Sequence, residues 1–82
     1  MKYSLYSIRD LKVGYSIPQA DQNDATAMRG FAFAVNNEES IMNFEPKDYQ
    51  LFKIGEFDVD TGKLKPITPV LICEGLDVFG VE

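Results

Sequence analysis

Asp58 and Asp60, two positions apart and followed by Thr61-Gly62, are the carboxylates whose spacing best suits a shared cation. They occupy the first and third places of an oxygen-lined calcium loop, but the fifth falls on Gly62 and the twelfth on Pro69, where the pattern needs oxygen ligands. The flanking residues also read as strands, so the stretch is better explained as a hairpin turn. A small hydrolase or nuclease using this pair and a metal is the one enzymatic reading left. Glu38-Glu39 follows a helix end and reads as a solvated loop. The chain has no histidine, which removes Ser-His and Cys-His nucleophiles and histidine-containing zinc sites. Cys73 is the single cysteine, so there is no intrachain disulfide and no cysteine-rich metal site. It lies in the apolar run PVLIC and reads as buried rather than reactive. The glycines, at 14, 30, 55, 62, 75 and 80, form no phosphate-binding loop. The expectation is a protein without a catalytic centre, metal or cofactor.

A second kind of chemistry is stacking combined with charge. Lys2, Tyr3, Tyr6, Arg9, Lys12, Tyr15, Lys47, Tyr49 and Lys53 form an aromatic-and-basic set of the kind that single-strand binders use, with rings for bases and cations for the backbone. From this set Lys2, Tyr6, Arg9, Lys12, Tyr15, Lys47, Tyr49 and Lys53 are the nucleic-acid-binding candidates, expected on one face of the first strand and central hairpin. Their binding should fall steeply with salt. The plainer reading is that tyrosines straddle core and surface in any small sheet while lysines solvate its edge.

The elements that would position these residues follow from periodicity. MKYSLYSIR alternates imperfectly and reads as a strand, with Tyr3, Leu5 and Ser7 on one side and Lys2, Ser4, Tyr6 and Ile8 on the other. DLKVG is a turn, and YSI a short strand closed by Pro18. ADQNDATAMRGFAFAVNN is the one helix. Asp21 or Asn23 caps it, and Met28, Phe31, Ala32 and Val35 form its apolar stripe, extended by Ala25. Asn36-Asn37 should end it in a left-handed cap. A short strand is expected near 41–44. KDYQLFKIGEF is a longer strand, with Gly55 marking a bulge or close backbone approach.

The turn at Asp60-Thr61-Gly62 would set Asp58 opposite Lys63 and Glu56 opposite Lys65, pairs that occupy most of these lysines. KLKPI returns the chain, and PVLICEG is a separate strand between Pro69 and Gly75. The apolar tail Leu76, Val78, Phe79 and Val81 should pack on its own domain or add a strand to a neighbour. This order predicts an α+β fold: a small antiparallel sheet of four to six strands with one amphipathic helix packed on one face.

Eighty-two residues make a single domain, 1–82, with a modest core, so a homodimer would add burial that the monomer lacks. Net charge is −5 but uneven: +2 over residues 1–15, −4 over 16–46, zero over 47–66 and −3 over 67–82. The total opposes non-specific polyanion binding, so a nucleic acid would need a local basic face. No charged-then-apolar leader signal appears, and no apolar run approaches the ~18 residues of a membrane span. A protein inside the cell, with no membrane contact, is the expectation.

Three segments together resemble a known family: MKYSLYSIRDLKVGY at the start, NDATAMRGFAFAVNN in the helix and DYQLFKIGEFDVDTG in the hairpin. Their order and spacing resemble the small nonstructural protein of microviruses, single-stranded-DNA phages, especially the gokushovirus group. The resemblance implies a phage protein in the bacterial host cytoplasm, absent from the capsid. It implies binding of single-stranded DNA, or of the phage or host replication and packaging proteins, while genomes are replicated and packaged. It carries over no functional residue: Gly14, Asn23, Asp24, Arg29, Phe31, Tyr49, Phe52, Gly55, Phe57 and Gly62 read as fold determinants. The alternative is an acidic protein-interaction module that engages a host or phage protein without DNA contact, through Asp21 to Glu45 and the apolar tail.

Overall fold

Tyr, Ile and Leu favour a pleated surface, and Lys2–Asp10 forms β1, an interior strand of a five-stranded antiparallel sheet. The computed structural model describes residues 1–80. The remaining elements are β2 (Gly14–Tyr15), β3 (Gln19–Asp21), α1 (Asp24–Asn36), α2 (Ile41–Phe44), a 3-10 turn (Pro46–Asp48), β4 (Tyr49–Asp58), β5 (Leu64–Glu74) and α3 (Gly75–Val78). The order across the sheet is β2-β1-β4-β5, with β3 pairing the same edge of β1 as β2 but further along. The fold is thus the expected α+β sheet with one main helix.

Asn23, rather than Asp21, caps α1. Its Oδ1 accepts from Thr26 N at 2.8 Å and Thr26 Oγ1 at 3.0 Å. Asp21 belongs instead to β3, opposite Ser4, in a stretch that read as the start of the helix. α1 buries Ala27, Phe31 and Val35, flanked by Met28 and Ala32. Ala25 is exposed, and the buried stripe starts at Ala27. Against it pack Tyr6, Tyr49, Leu51, Cys73 and Val78.

Asn37 ends the helix in extended backbone (φ −74°, ψ 115°), not in the left-handed cap. The expected strand near 41–44 is a helical turn. Ser40 Oγ accepts from Met42 N at 3.1 Å, which turns the chain towards helix where propensity alone suggested a strand.

The hairpin holds its register, Glu56 opposite Lys65 and Asp58 N bonded to Lys63 O at 3.0 Å, with Gly62 at φ +74°. The ion pairs among the described residues lie elsewhere: the Met1 ammonium with Asp60 at 2.8 Å, and Lys12 with Asp48 at 3.3 Å. The hairpin lysines are therefore freer than the cross-strand pattern implied. Asp58 builds the turn; its Oδ1 accepts from Asp60 N at 2.9 Å, and that bond holds its carboxyl below the usual range.

KLKPI and PVLICEG are not two strands. β5 runs unbroken through Pro66 and Pro69 because it is the edge strand, where a missing N–H can face water. Gly55 meets Pro66 closely: a Cβ at Gly55 would stand 2.7 Å from Lys65 O. The tail folds back on its own domain. Val78 is buried, its carbonyl accepts from Asn36 Nδ2 at 2.9 Å, and Gly80 N donates to Asn36 Oδ1 at 2.7 Å. Val81 lies outside the described residues. No helix among the described residues is long and apolar enough to cross a membrane.

Candidate nucleic-acid interface

Alternation along β1 decides where the nominated side chains go. Tyr6 and Ile8 point to the face covered by α1, so Tyr3, Leu5, Ser7 and Arg9 occupy the opposite face. Residues directly opposite one another in an antiparallel pair share a face. Arg9 stands opposite Tyr15 and Gln50, Ser7 opposite Phe52, and Tyr3 opposite Phe57. The helix-free face is therefore aromatic, with Arg9 as its cation.

At its centre Arg9 Cζ sits 5.8 Å from the centroid of the Tyr15 ring, and Tyr15 meets Phe52 edge-to-face at 5.5 Å between centroids and 69° between planes. Both contacts are of the attractive kind for a cation on a π-face and for paired rings. Tyr15 remains half exposed.

Local chemistry explains how Tyr15 arrives there. Asp10 Oδ1 accepts from Lys12 N at 2.9 Å and Val13 N donates to Asp10 O at 3.1 Å, closing the turn after β1. Gly14, at φ +124°, then takes a conformation that few other residues adopt. Ser16 N donates to Ile8 O at 2.8 Å, and the buried Ser7 Oγ donates to Ser16 O at 2.8 Å, which clamps the returning arm to β1.

The other nominated residues do not join this group. Tyr6 and Tyr49 are core residues, 4% and 8% exposed, whose rings cannot meet a base. Tyr6 Oη donates to Asp24 Oδ1 at 2.5 Å. Burial first, and that bond second, push its phenol up to about 12. Burial likewise raises Tyr49, reinforced by the charge of Asp10.

Lys2 and Lys53 lie on the helix side of the sheet, opposite Asp58 and Tyr6. Lys12 is engaged by Asp48, whose hydrogen bond and charge raise its pKa. Lys47 is exposed on the 3-10 turn. The single-face expectation is thus corrected: on the helix-free face, Arg9 and Tyr15 of the nominated set meet, while Lys53 stands opposite Tyr6 on the other. The reason is parity, since Lys2 and Tyr6 are even positions of one strand and Arg9 is odd. Phe52 was missed as a contact residue. Its alternation with Leu51 was visible in the sequence, but only the register with β1 places it beside Tyr15.

Cys73 is buried, and burial together with Asp77 and Glu74 pushes its thiol up to about 11, the setting of an inert core cysteine.

No curated protein and no solved structure matches this chain. A family model does: over residues 3–78, from the first strand through the last helical turn, the chain matches the model described as "Phage ORF5 protein". A match over nearly the whole described fold places the chain in the Phage ORF5 protein family, as a small phage protein.

Proposed function

We propose that this phage protein is a non-enzymatic accessory factor that binds single-stranded DNA, working as a homodimer in the bacterial host cytoplasm during genome replication and packaging. The observation that carries the reading is the Arg9–Tyr15–Phe52 group on the helix-free face. A sheet face bearing an exposed tyrosine ring, backed by the half-buried Phe52, beside a guanidinium offers a base one surface to stack on and its phosphate one cation. The resemblance to the nonstructural proteins of gokushovirus-type microviruses supports the same assignment.

Titration of a labelled oligothymidylate at low salt, followed by fluorescence anisotropy, tests it. Tyr15→Ala should weaken binding by about 1–3 kcal/mol, the usual worth of one stacked base. Arg9→Ala should weaken it too, whereas Lys12→Ala, in a cation already engaged by Asp48, should change it little. Absence of binding by the wild type at ~50 μM protein, a free energy weaker than roughly −6 kcal/mol, would refute the proposal.

A second reading, contact with a host or phage protein, is favoured by a different surface. Residues 16–46 carry net −4 and display Phe33, Ile41 and Phe44 at 77%, 70% and 80% exposure.

A further inference from the structure

The two faces of the sheet change character along its length. At the Asp10 end, α1 lies on the side of Tyr6, Leu51 and Cys73, and α2 and α3 reach the same core through Met42 and Val78. At the hairpin end, beyond Tyr6, that side carries the charges: Lys2 opposite Asp58, and Glu56 opposite Ser4 and Lys65. The other side is apolar there. Tyr3, Phe57 and Leu64 form one cross-strand row, Leu5, Gly55 and Pro66 the next, and Ser7, Phe52 and Leu71 a third. No Asp, Glu, Lys or Arg stands in these three rows. An antiparallel sheet with one solvated face normally makes that face the polar one. Here the polarity is reversed, since all three helices of the described residues pack on the opposite side. Tyr3, Leu5, Phe52 and Phe57 are half-buried, and Leu64 and Leu71 remain 66% and 47% exposed.

An occupant must come by the face, because both sheet edges are closed to strand addition. β5 lacks two N–H donors, at Pro66 and Pro69, and β2 and β3 have two and three residues with Pro18 between them. A second copy of this chain fits. The uncharged rows keep its net charge of −5 out of the contact, and the charged row beyond them is self-complementary. There Arg9 on β1 and Glu74 on β5 flank Gln50, whose Nε2 donates to both Glu74 carboxylate oxygens at 2.6 and 2.9 Å. A two-fold axis along β4 lays β4 on β4 and β1 on β5. Phe52 and Phe57 then face their own counterparts, and each Arg9 lies over Glu74 of the second copy. An axis across the strands would instead set Arg9 against the apolar rows, at a desolvation cost.

We propose that two copies of this chain pack helix-free face to helix-free face, as an aligned pair of sheets about a two-fold axis along β4, with Arg9 of each copy on Glu74 of the other. The inference rests on the homodimer of the reading above and gives it an interface. Tyr15, on β2 outside β1, is left uncovered, and the several donors of the Arg9 guanidinium serve a carboxylate and a phosphate together. Three strands ~4.8 Å apart, from Tyr3 to Arg9, make a footprint of roughly 300 Å² per copy. Twice that falls short of the ~1,200 Å² of a standard interface, so the dimer is reversible in the micromolar range rather than obligate.

Sedimentation velocity of the full chain between ~1 and ~200 μM reads the association. The wild type should pass reversibly from monomer to dimer. Leu64→Gln/Leu71→Gln, at two exposed positions of the face, should dimerise at least ~10-fold more weakly. Circular dichroism melting verifies that this variant folds. Arg9→Glu and Glu74→Arg should each associate more weakly alone, since like charges then face each other. An equal mixture of the two should regain the wild-type association, because the mixed dimer restores both pairs.

A wild type that stays monomeric to ~200 μM overturns the interface, and oligothymidylate binding by that monomer would leave the DNA reading standing. Undiminished dimerisation of Leu64→Gln/Leu71→Gln overturns it too, and dimer loss in Phe33→Ser/Phe44→Ser would then place the contact on residues 16–46. A mixture no stronger than its components overturns the pairing of Arg9 with Glu74, and with it the axis. Oligothymidylate binding should survive in Leu64→Gln/Leu71→Gln, and a wild-type dimer that never binds it refutes the DNA reading alone.

Discussion

Tyr6 carries the clearest titration at the residue scale. Its phenol is pushed up to about 12 from 10.0, by burial and then by the bond to Asp24. Between these values the unfolded chain has lost the proton while the folded chain keeps it, so stability falls as pH rises through this window. Two units correspond to about 2–3 kcal/mol at most. Urea melts of the wild type should show that loss between about pH 10 and 12, and Tyr6→Phe should flatten it. An unchanged alkaline slope in the variant would assign the loss to Tyr49, whose phenol burial also raises. Asn23 supplies a second residue-scale expectation. Asn23→Ala removes the acceptor of Thr26 N and should cost about 1 kcal/mol in the same melts. Here the sequence already narrowed the cap to two residues, and what separated them was the claim of β3 on Asp21.

At the scale of elements, two glycines act in opposite directions. Gly30 sits in the middle of α1 with open space around it, so Gly30→Ala should stabilise the protein by about 0.5–1 kcal/mol through helix propensity and reduced chain entropy. Gly75 starts α3 against the 3-10 turn; a Cβ there would stand 2.0 Å from Pro46 O and 3.0 Å from Tyr49 O. Gly75→Ala must therefore push apart two backbone segments that hold the tail to the core, and it should destabilise by more than about 2 kcal/mol. Thermal melting of the pair checks both signs at once. Neither outcome follows from residue type, since a glycine in an element interior reads the same whether space or backbone surrounds it. The same limit explains β5. Prolines at 66 and 69 divide a strand on paper, yet they are harmless at a sheet edge, and edge position is a property of strand order.

On the scale of the whole molecule, net charge −5 and Arg9 as the cation beside the Tyr15 ring set the salt response. A single-strand binder releases about 0.7 counterions per phosphate contacted, so Arg9 alone predicts a slope of log K against log salt near −0.7, with stacking supplying most of the affinity. This replaces the steep dependence that the full basic set would give. A slope beyond roughly −3 would mean that several cations converge on the strand, an arrangement at odds with Lys2 and Lys53 lying on the helix side of the sheet. The charge asymmetry also separates two surfaces, the aromatic face carrying Arg9 and the acidic segment 16–46 with its exposed Phe33, Ile41 and Phe44. A ligand of one should not compete with a ligand of the other.

By itself the sequence determined the class of fold, the presence of one amphipathic helix through Met28, Phe31 and Val35, the hairpin with its Gly62 turn, the burial of Cys73 and the absence of histidine and cysteine-cluster chemistry. These depend on local periodicity, on turn stereochemistry or on residue types that are simply missing. Only the tertiary structure decided that Tyr6 and Tyr49 belong to the core, that Tyr15 meets both Arg9 and Phe52 and that β5 is one edge strand. Each of these depends on which strand lies next to which, and in what register. That is settled by packing between segments far apart in the chain, because moving a strand by one residue turns every side chain to the other face.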